Sequence, residues 1–411
     1  MLIKDATIVT QNQSREIVQG DILVSDGKIV EVGTGISGDE IIDARGKIAM
    51  PGLVNTHTHL AMTLLRGYGS GLPLEKWLRE KIWPAEAEQS PEDVELASKL
   101  AFCEMIRSGT TAFAEMCIHD TKPVFEAAKE AGLRGIIAKG VLDLGDSDKT
   151  DELMDSVKPT FKYGDEMVKP SVAAHSPNTC SEELLLKTKE LARQNNLKYQ
   201  IHVGETRKEV FDVQKKTGRY PFEYLEQVMD EDSIFVHAGW LTKREIELAG
   251  KKKVAISSCP ISNLKLATGG IAQITELDMA GALVTLGTDS AASNNCLDMW
   301  QTMKMAALLQ SHHYWDANVI SPQKILDFAT INGAKAIGSN AGSIEPGRDA
   351  DIILLEKGPN LVPEHDPACN LVYSAGQQNV TDVIIAGRII MKNRKILSLD
   401  EDSVLENVKN T

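Results

Sequence analysis

The chain has 411 residues, 44 Lys+Arg against 58 Asp+Glu, a formal net charge of −14 and 42% hydrophobic residues. That length supports a large core and more than one domain, and the acidic balance argues against a nucleic-acid binder, which carries a basic surface. No apolar run is long enough to span a bilayer, Met1-Leu2-Ile3-Lys4-Asp5 meets charge at once, and the six cysteines form no C-x-x-C pair, so a cytoplasmic protein without a membrane partner is expected.

In chain order, residues 1–50 read as short strands at 2–10, 20–25, 28–32 and 40–43, with Asp26-Gly27 as a hairpin turn. So few strands cannot bury a good core alone. Further strand-like runs lie at 349–355, 371–373, 380–385 and 388–391, with a tight turn at Ala386-Gly387. The two termini are therefore expected to form one small β-sandwich domain, residues 1–50 and 346–411.

The middle, 51–345, alternates short apolar runs with amphipathic stretches. The runs are 53–55, 110–114, 135–138, 170–174, 199–203, 234–237, 254–257 and 283–287; helical stretches include 91–107, 121–131, 181–195, 242–248 and 271–280. Ser90-Pro91-Glu92-Asp93, Ser181-Glu182-Glu183 and Thr242-Lys243-Arg244-Glu245 are helix starts, and Ala131-Gly132 and Ala280-Gly281 are stops. This is an α/β pattern, and it predicts a (β/α)8 TIM barrel. The alternative, an open doubly wound sheet, lacks a Gly-rich phosphate loop after the first strand. Two connections, 59–88 and 143–169, are longer than a barrel needs and are expected to serve as lid or pocket wall.

Five of the nine histidines fall at ends of predicted strands. His57 and His59 follow strand 1, His175 ends strand 4, His202 lies near the end of strand 5, His237 ends strand 6, and Asp289 follows strand 8. In a barrel these ends converge on one mouth. His119 is a possible sixth; His312, His313 and His365 read as surface or second-layer residues. Imidazoles with one carboxylate make a metal site of intermediate softness. The closest set is His57, His59, His202 and Asp289, for one divalent ion: zinc by default, with iron, manganese or cobalt able to occupy the same ligands. Glu205, three residues after His202, is placed for proton shuttling. No lysine ends strand 4 to bridge a second metal, so one ion is expected.

Pro51-Gly52-Leu53-Val54-Asn55-Thr56-His57-Thr58-His59, His202-Val203-Gly204-Glu205 and Gly287-Thr288-Asp289-Ser290 together resemble the amidohydrolase superfamily over essentially the whole chain. Within it the chain looks most like the 5′-methylthioadenosine/S-adenosylhomocysteine deaminases and the 5′-deoxyadenosine deaminases. The further matching features are Arg66-Gly67, Trp77-Leu78, Trp83-Pro84-Ala85-Glu86, Ala174-His175-Ser176-Pro177 and His237-Ala238. The resemblance implies hydrolytic deamination at purine C6 of a small-molecule nucleoside, with His57, His59, His202 and Asp289 on the metal. It implies that Glu205 and His237 flank the attacking water, that Glu86 accepts from the ribose hydroxyls, that His175 touches the sugar side, and that Trp77 walls the pocket. Glu205 and Asp289 thereby count among the substrate contacts as well as the catalytic groups.

Relatives that hold a charged homocysteine tail are expected to use arginines near strands 3 and 4. Here Arg134 precedes strand 3, and 143–169 holds Lys149, Lys158, Lys162 and Lys169 but no arginine. A small or neutral 5′ group is therefore expected at least as much as S-adenosylhomocysteine. Guanine deaminase or triazine chlorohydrolase chemistry is the alternative within the superfamily, and a non-catalytic scaffold the alternative outside enzymes. A homo-oligomer is expected on general grounds.

Overall fold

The computed structural model describes residues 1–410. Eight parallel strands lie side by side in chain order: Leu53–Thr58, Thr110–Cys117, Arg134–Val141, Val168–Ala174, Tyr199–Val203, Ser233–His237, Ala255–Ser258 and Leu283–Leu286. The last returns to the first. The Asp289 N–H donates to His57 O at 3.0 Å, and the Thr56 hydroxyl donates to Leu286 O at 2.9 Å. The result is the expected barrel. Strands such as Thr110–Cys117 and Tyr199–Val203 are buried at every residue, which is why they read as continuous apolar runs rather than alternating ones.

The outer helices start where the caps indicated. Ser90 and Asp93 form a reciprocal capping box at the head of Pro91–Arg107, Thr242 and Glu245 do the same for Lys243–Lys252, and Ser181 caps Glu182–Gln194. The long connections are themselves folded. Residues 59–88 form Leu60–Leu65, Leu74–Trp77, Leu78–Ile82 and Trp83–Ala87, and residues 143–169 contain Thr150–Val157. No helix among the described residues is long and apolar enough to cross a membrane.

Strands from both termini build one nine-stranded sheet. Its order is Lys395–Ile396, Arg388–Lys392, Val380–Ile385, Ile352–Glu356, Lys47–Pro51, Leu2–Val9, Ile17–Ser25 and Lys28–Gly33, with Ile41–Asp43 beside Leu2–Val9. Alternation sorts its residues. Ala49, Ile352, Leu354 and Ile384 face a small core inside the sheet, whereas Ile48, Met50, Ile353, Leu355, Val383 and Ile385 join the barrel's main core. The middle of this sheet is thus buried on both faces and ties the termini to the barrel.

One element differs in kind. Residues 371–373 are not a strand but the end of helix Pro367–Tyr373: Asp366 accepts from the Cys369 N–H at 3.1 Å, Pro367 opens the helix, and Leu371 and Val372 are its buried face. Three apolar residues fit a strand and a buried helical turn equally well, and here the cap decides. Strand Lys47–Pro51 and helix Glu401–Asn410 are among the elements that add to the expected set; Arg107 pairs with Glu401 to hold the latter on helix Pro91–Arg107.

Arg134 has a clear position at the start of the third barrel strand. Its guanidinium pairs with Asp351 at 2.8 Å and Asp349 at 3.3 Å, joining the barrel to the terminal sheet. Asp351 is 1% exposed at its side chain, so losing its partner strands a buried charge. Arg134→Met is expected to lower stability by about 3 kcal/mol in denaturant unfolding; a change within about 0.5 kcal/mol, the range of ordinary surface substitutions, contradicts this role.

Candidate active site

His57 and His59 leave the first barrel strand on one side, as residues two apart do in extended chain. His57 fits closely against strand 8 because Gly287 has no side chain: a Cβ there would lie 2.9 Å from His57 Cβ. His202 comes from strand 5 and Asp289 from the turn after strand 8. The Nε2 of His202 stands 3.2 Å from that of His57 and 3.3 Å from that of His59. Asp289 Oδ1 lies 3.7 Å from His57 Nε2 and 3.6 Å from His59 Nε2.

The opposite ring nitrogens reveal what these atoms are. His59 Nδ1 lies 2.7 Å from Met116 O, and His202 Nδ1 lies 2.8 Å from His175 O. A carbonyl only accepts, so both Nδ1 atoms carry the hydrogen and both Nε2 atoms present lone pairs. Two lone pairs 3.3 Å apart repel unless a cation lies between them. Burial pushes the pKa of His57 and His202 well below the usual imidazole range, with the neighbouring imidazoles adding to it; both are neutral, the form that ligates. Three neutral imidazoles and a carboxylate, two of the rings oriented by backbone carbonyls, fit one divalent ion of the zinc class.

Beside this cluster, His237 Nε2 lies 3.7 Å from Glu205 Oε2. The Asn263 amide nitrogen donates to His237 Nδ1 at 3.2 Å, which leaves Nε2 as the hydrogen-bearing atom. Burial, with the charge of Asp289 second, pushes Glu205 up to about 8. Gly204, at φ +62°, turns the chain between His202 and Glu205 in a conformation that favours glycine.

These groups open into a cavity of about 620 Å³ that His175, Glu86, Trp77 and His119 also line. Burial raises Glu86 to about 7 and lowers His175 to about 4, the latter helped by His59 and His237. Trp77 is buried, and its indole N–H donates to Tyr68 O at 2.9 Å. All nine residues singled out from the sequence as site residues meet at this one cavity or its floor, while His312, His313 and His365 are exposed and away from it. The connection 59–88 forms one wall. The connection 143–169 supplies only Leu144, and its lysines do not reach the cavity; the third wall is helix Arg207–Thr217, whose Lys208 meets Glu75 across the rim at 3.2 Å.

The sequence profile of the Amidohydrolase family matches residues 48–390. The chain belongs to this family. A relative from Methanosphaera stadtmanae named 5′-deoxyadenosine deaminase is 40% identical over 419 residues, covering 100% of this amidohydrolase and 97% of the relative. One of the same name from Methanothermobacter thermautotrophicus is 42% identical, covering 95% and 93%. Among solved structures, an adenosine deaminase from Xanthomonas campestris with bound zinc is 31% identical, with a TM-score of 0.92 over 100% of this chain and 97% of that one.

Four supporting residues of this amidohydrolase escaped the sequence reading. The Ser262 hydroxyl donates to Asp289 Oδ2 at 2.6 Å, and Asn263 orients His237. Glu209 accepts from the N–H groups of Gly204 and Glu205 at 2.7 and 2.9 Å. Glu115 is buried in the second barrel strand beside the His57–His59 segment. The one signal for Glu115 was a carboxylate inside the apolar run Ala112-Phe113-Ala114-Glu115-Met116; buried charges need partners.

Proposed function

We propose that this amidohydrolase hydrolyses the 6-amino group from adenosine-type nucleosides changed at the 5′ position, 5′-deoxyadenosine first among them, giving the inosine analogue and ammonia. The observation that carries the reading is Glu205 beside a three-histidine, one-aspartate cluster inside a cavity that also presents Glu86. The full-length relatives named 5′-deoxyadenosine deaminase support it.

In this reading His57, His59, His202 and Asp289 hold one divalent ion, zinc by the chemistry of the set. When bound, such an ion acts as a Lewis acid and makes water nucleophilic at neutral pH. Purine C6 is a poor electrophile until N1 is protonated. Glu205, which burial pushes up, is basic enough to take a proton from the attacking water and hand it to N1. His237 presents Nε2–H, so it orients by donating, and Asp289 is left to accept the second proton that the added water gives up. The amino group gains that proton from Asp289 and leaves as ammonia while the C6 carbonyl forms.

Glu86 faces the ribose. Its carboxylate accepts from the 2′- and 3′-hydroxyls in charge-assisted bonds that a free base cannot make. Neutral His175 lies on the sugar side, and Trp77 closes the wall. With Arg134 engaged by Asp349 and Asp351 and Leu144 as the contribution of 143–169 to the cavity, a small neutral 5′ group suits the site.

Glu205→Gln is expected to lower kcat for 5′-deoxyadenosine by about a thousandfold with metal content unchanged, read by ammonia release and elemental analysis. Activity within a few-fold of the parent contradicts the proton-donor role. For Glu86, raised to about 7, the acceptor form is lost as pH falls through that value. KM for 5′-deoxyadenosine is therefore expected to rise about tenfold from about pH 8 to about pH 6, and KM for its 2′,3′-dideoxy analogue to stay flat. Equal pH dependence for the two sets the ribose assignment aside.

A further inference from the structure

The pairing between the first two barrel strands slips at the metal-binding segment. Asn55 pairs with Phe113, but the next pair is Thr58 with Glu115, so three steps along the first strand match two along the second. Such a bulge re-aims side chains, and His57 lies within it. Something must fix where the chain goes afterwards, because His59 follows at once.

Glu115 and Met116 hold that segment on three sides of His59. Thr58 Oγ1 is 2.6 Å from Glu115 Oε2, the Leu60 N–H donates to both Glu115 oxygens at 3.0 Å, and Met116 O takes the His59 Nδ1–H. The residue before His59, the residue after it and its ring are thus all tied to two consecutive residues of strand 2. The Gln200 amide donates to Glu115 O at 3.1 Å, so the same point is braced from strand 5, two residues before His202. Glu115 is fully buried and absent from the cavity lining; it cannot touch substrate.

We infer that Glu115 is a positioning residue for the metal site, its carboxyl group strapping Thr58 to Leu60 so that His59 Nε2 meets His202 Nε2. The inference rests on the reading of His59 as a metal ligand. The strap is geometric. A glutamine at 115 keeps it: its amide donates to Thr58 Oγ1, the Thr58 hydroxyl donates to Ala114 O, which lies at 3.0 Å, and the glutamine carbonyl accepts from Leu60. An alanine removes it.

The test is zinc affinity of the full chain, measured by competition with a chromophoric chelator, alongside thermal melting of the zinc-free form. Glu115→Ala is expected to raise the zinc Kd by about 10- to 100-fold, and Glu115→Gln to stay within about threefold of the parent. A merely structural residue lowers the melting temperature and leaves the affinity of the folded protein alone. Parent-like zinc affinity in Glu115→Ala, or equal loss in Glu115→Gln, overturns the inference. If Glu115→Ala does not fold, Thr58→Val cuts one end of the strap: a rise in Kd of about tenfold supports the inference, and an unchanged Kd overturns it. His59→Ala separates the two readings. If it binds zinc as the parent does, the ligand assignment fails; if it loses zinc while Glu115→Ala and Thr58→Val do not, only the strap fails.

Discussion

Everything at the barrel mouth depends on one electrostatic constraint: the His59 and His202 lone pairs, 3.3 Å apart, with His57 Nε2 and a carboxylate oxygen close by. Backbone carbonyls on the far nitrogens set both tautomers, so neither ring can relieve the contact by turning an N–H toward the other. The chain spends order on holding an arrangement that is unfavourable alone and favourable around a cation. Asp289 is fixed by the Ser262 hydroxyl and the Ser290 N–H at 2.6 and 2.7 Å. His237, Ala238 and Asp289 all sit at positive φ, 76°, 52° and 63°, a conformation that costs energy outside glycine and persists where the surroundings impose it.

The barrel makes such over-determination possible. The metal-cluster residues come from strands 1, 5 and 8 and their neighbours His175 and His237 from strands 4 and 6; strands 1, 5 and 6 are buried along their whole length, so the side chains at their ends inherit the rigidity of the core. The terminal sheet reinforces this from the other end through Arg134, Asp349 and Asp351. Burial also sorts the carboxyl groups. Glu205 and Glu86 are both pushed up by desolvation, which supports the proposed roles of the first as proton carrier and the second as pH-sensitive acceptor.

Much of this was legible in the sequence for a physical reason. A strand buried on both faces shows as a short apolar run, and a barrel repeats it eight times; the polar residue that ends each run then stands out, as His175, His202 and His237 do. Capping signals placed the outer helices to within a few residues because the cap geometry is local. Where the decisive contact is remote the sequence was silent. Helix Arg207–Thr217 carried no mark as a cavity wall. Glu115, Ser262 and Asn263 act only through neighbours that the fold brings to them. The connection 143–169 was expected to serve as lid or pocket wall, yet it packs against the outside of the barrel through Val157, Leu153 and Phe161 and offers the cavity Leu144 alone.

One divalent ion at the histidine cluster is what makes this cavity a nucleoside deaminase. The most direct measurement is titration of metal-free protein with zinc while ammonia release from 5′-deoxyadenosine is followed. No turnover is expected without metal, and activity is expected to rise linearly up to about one zinc per chain. Full activity in the metal-free protein, or no ammonia at any zinc content, contradicts it.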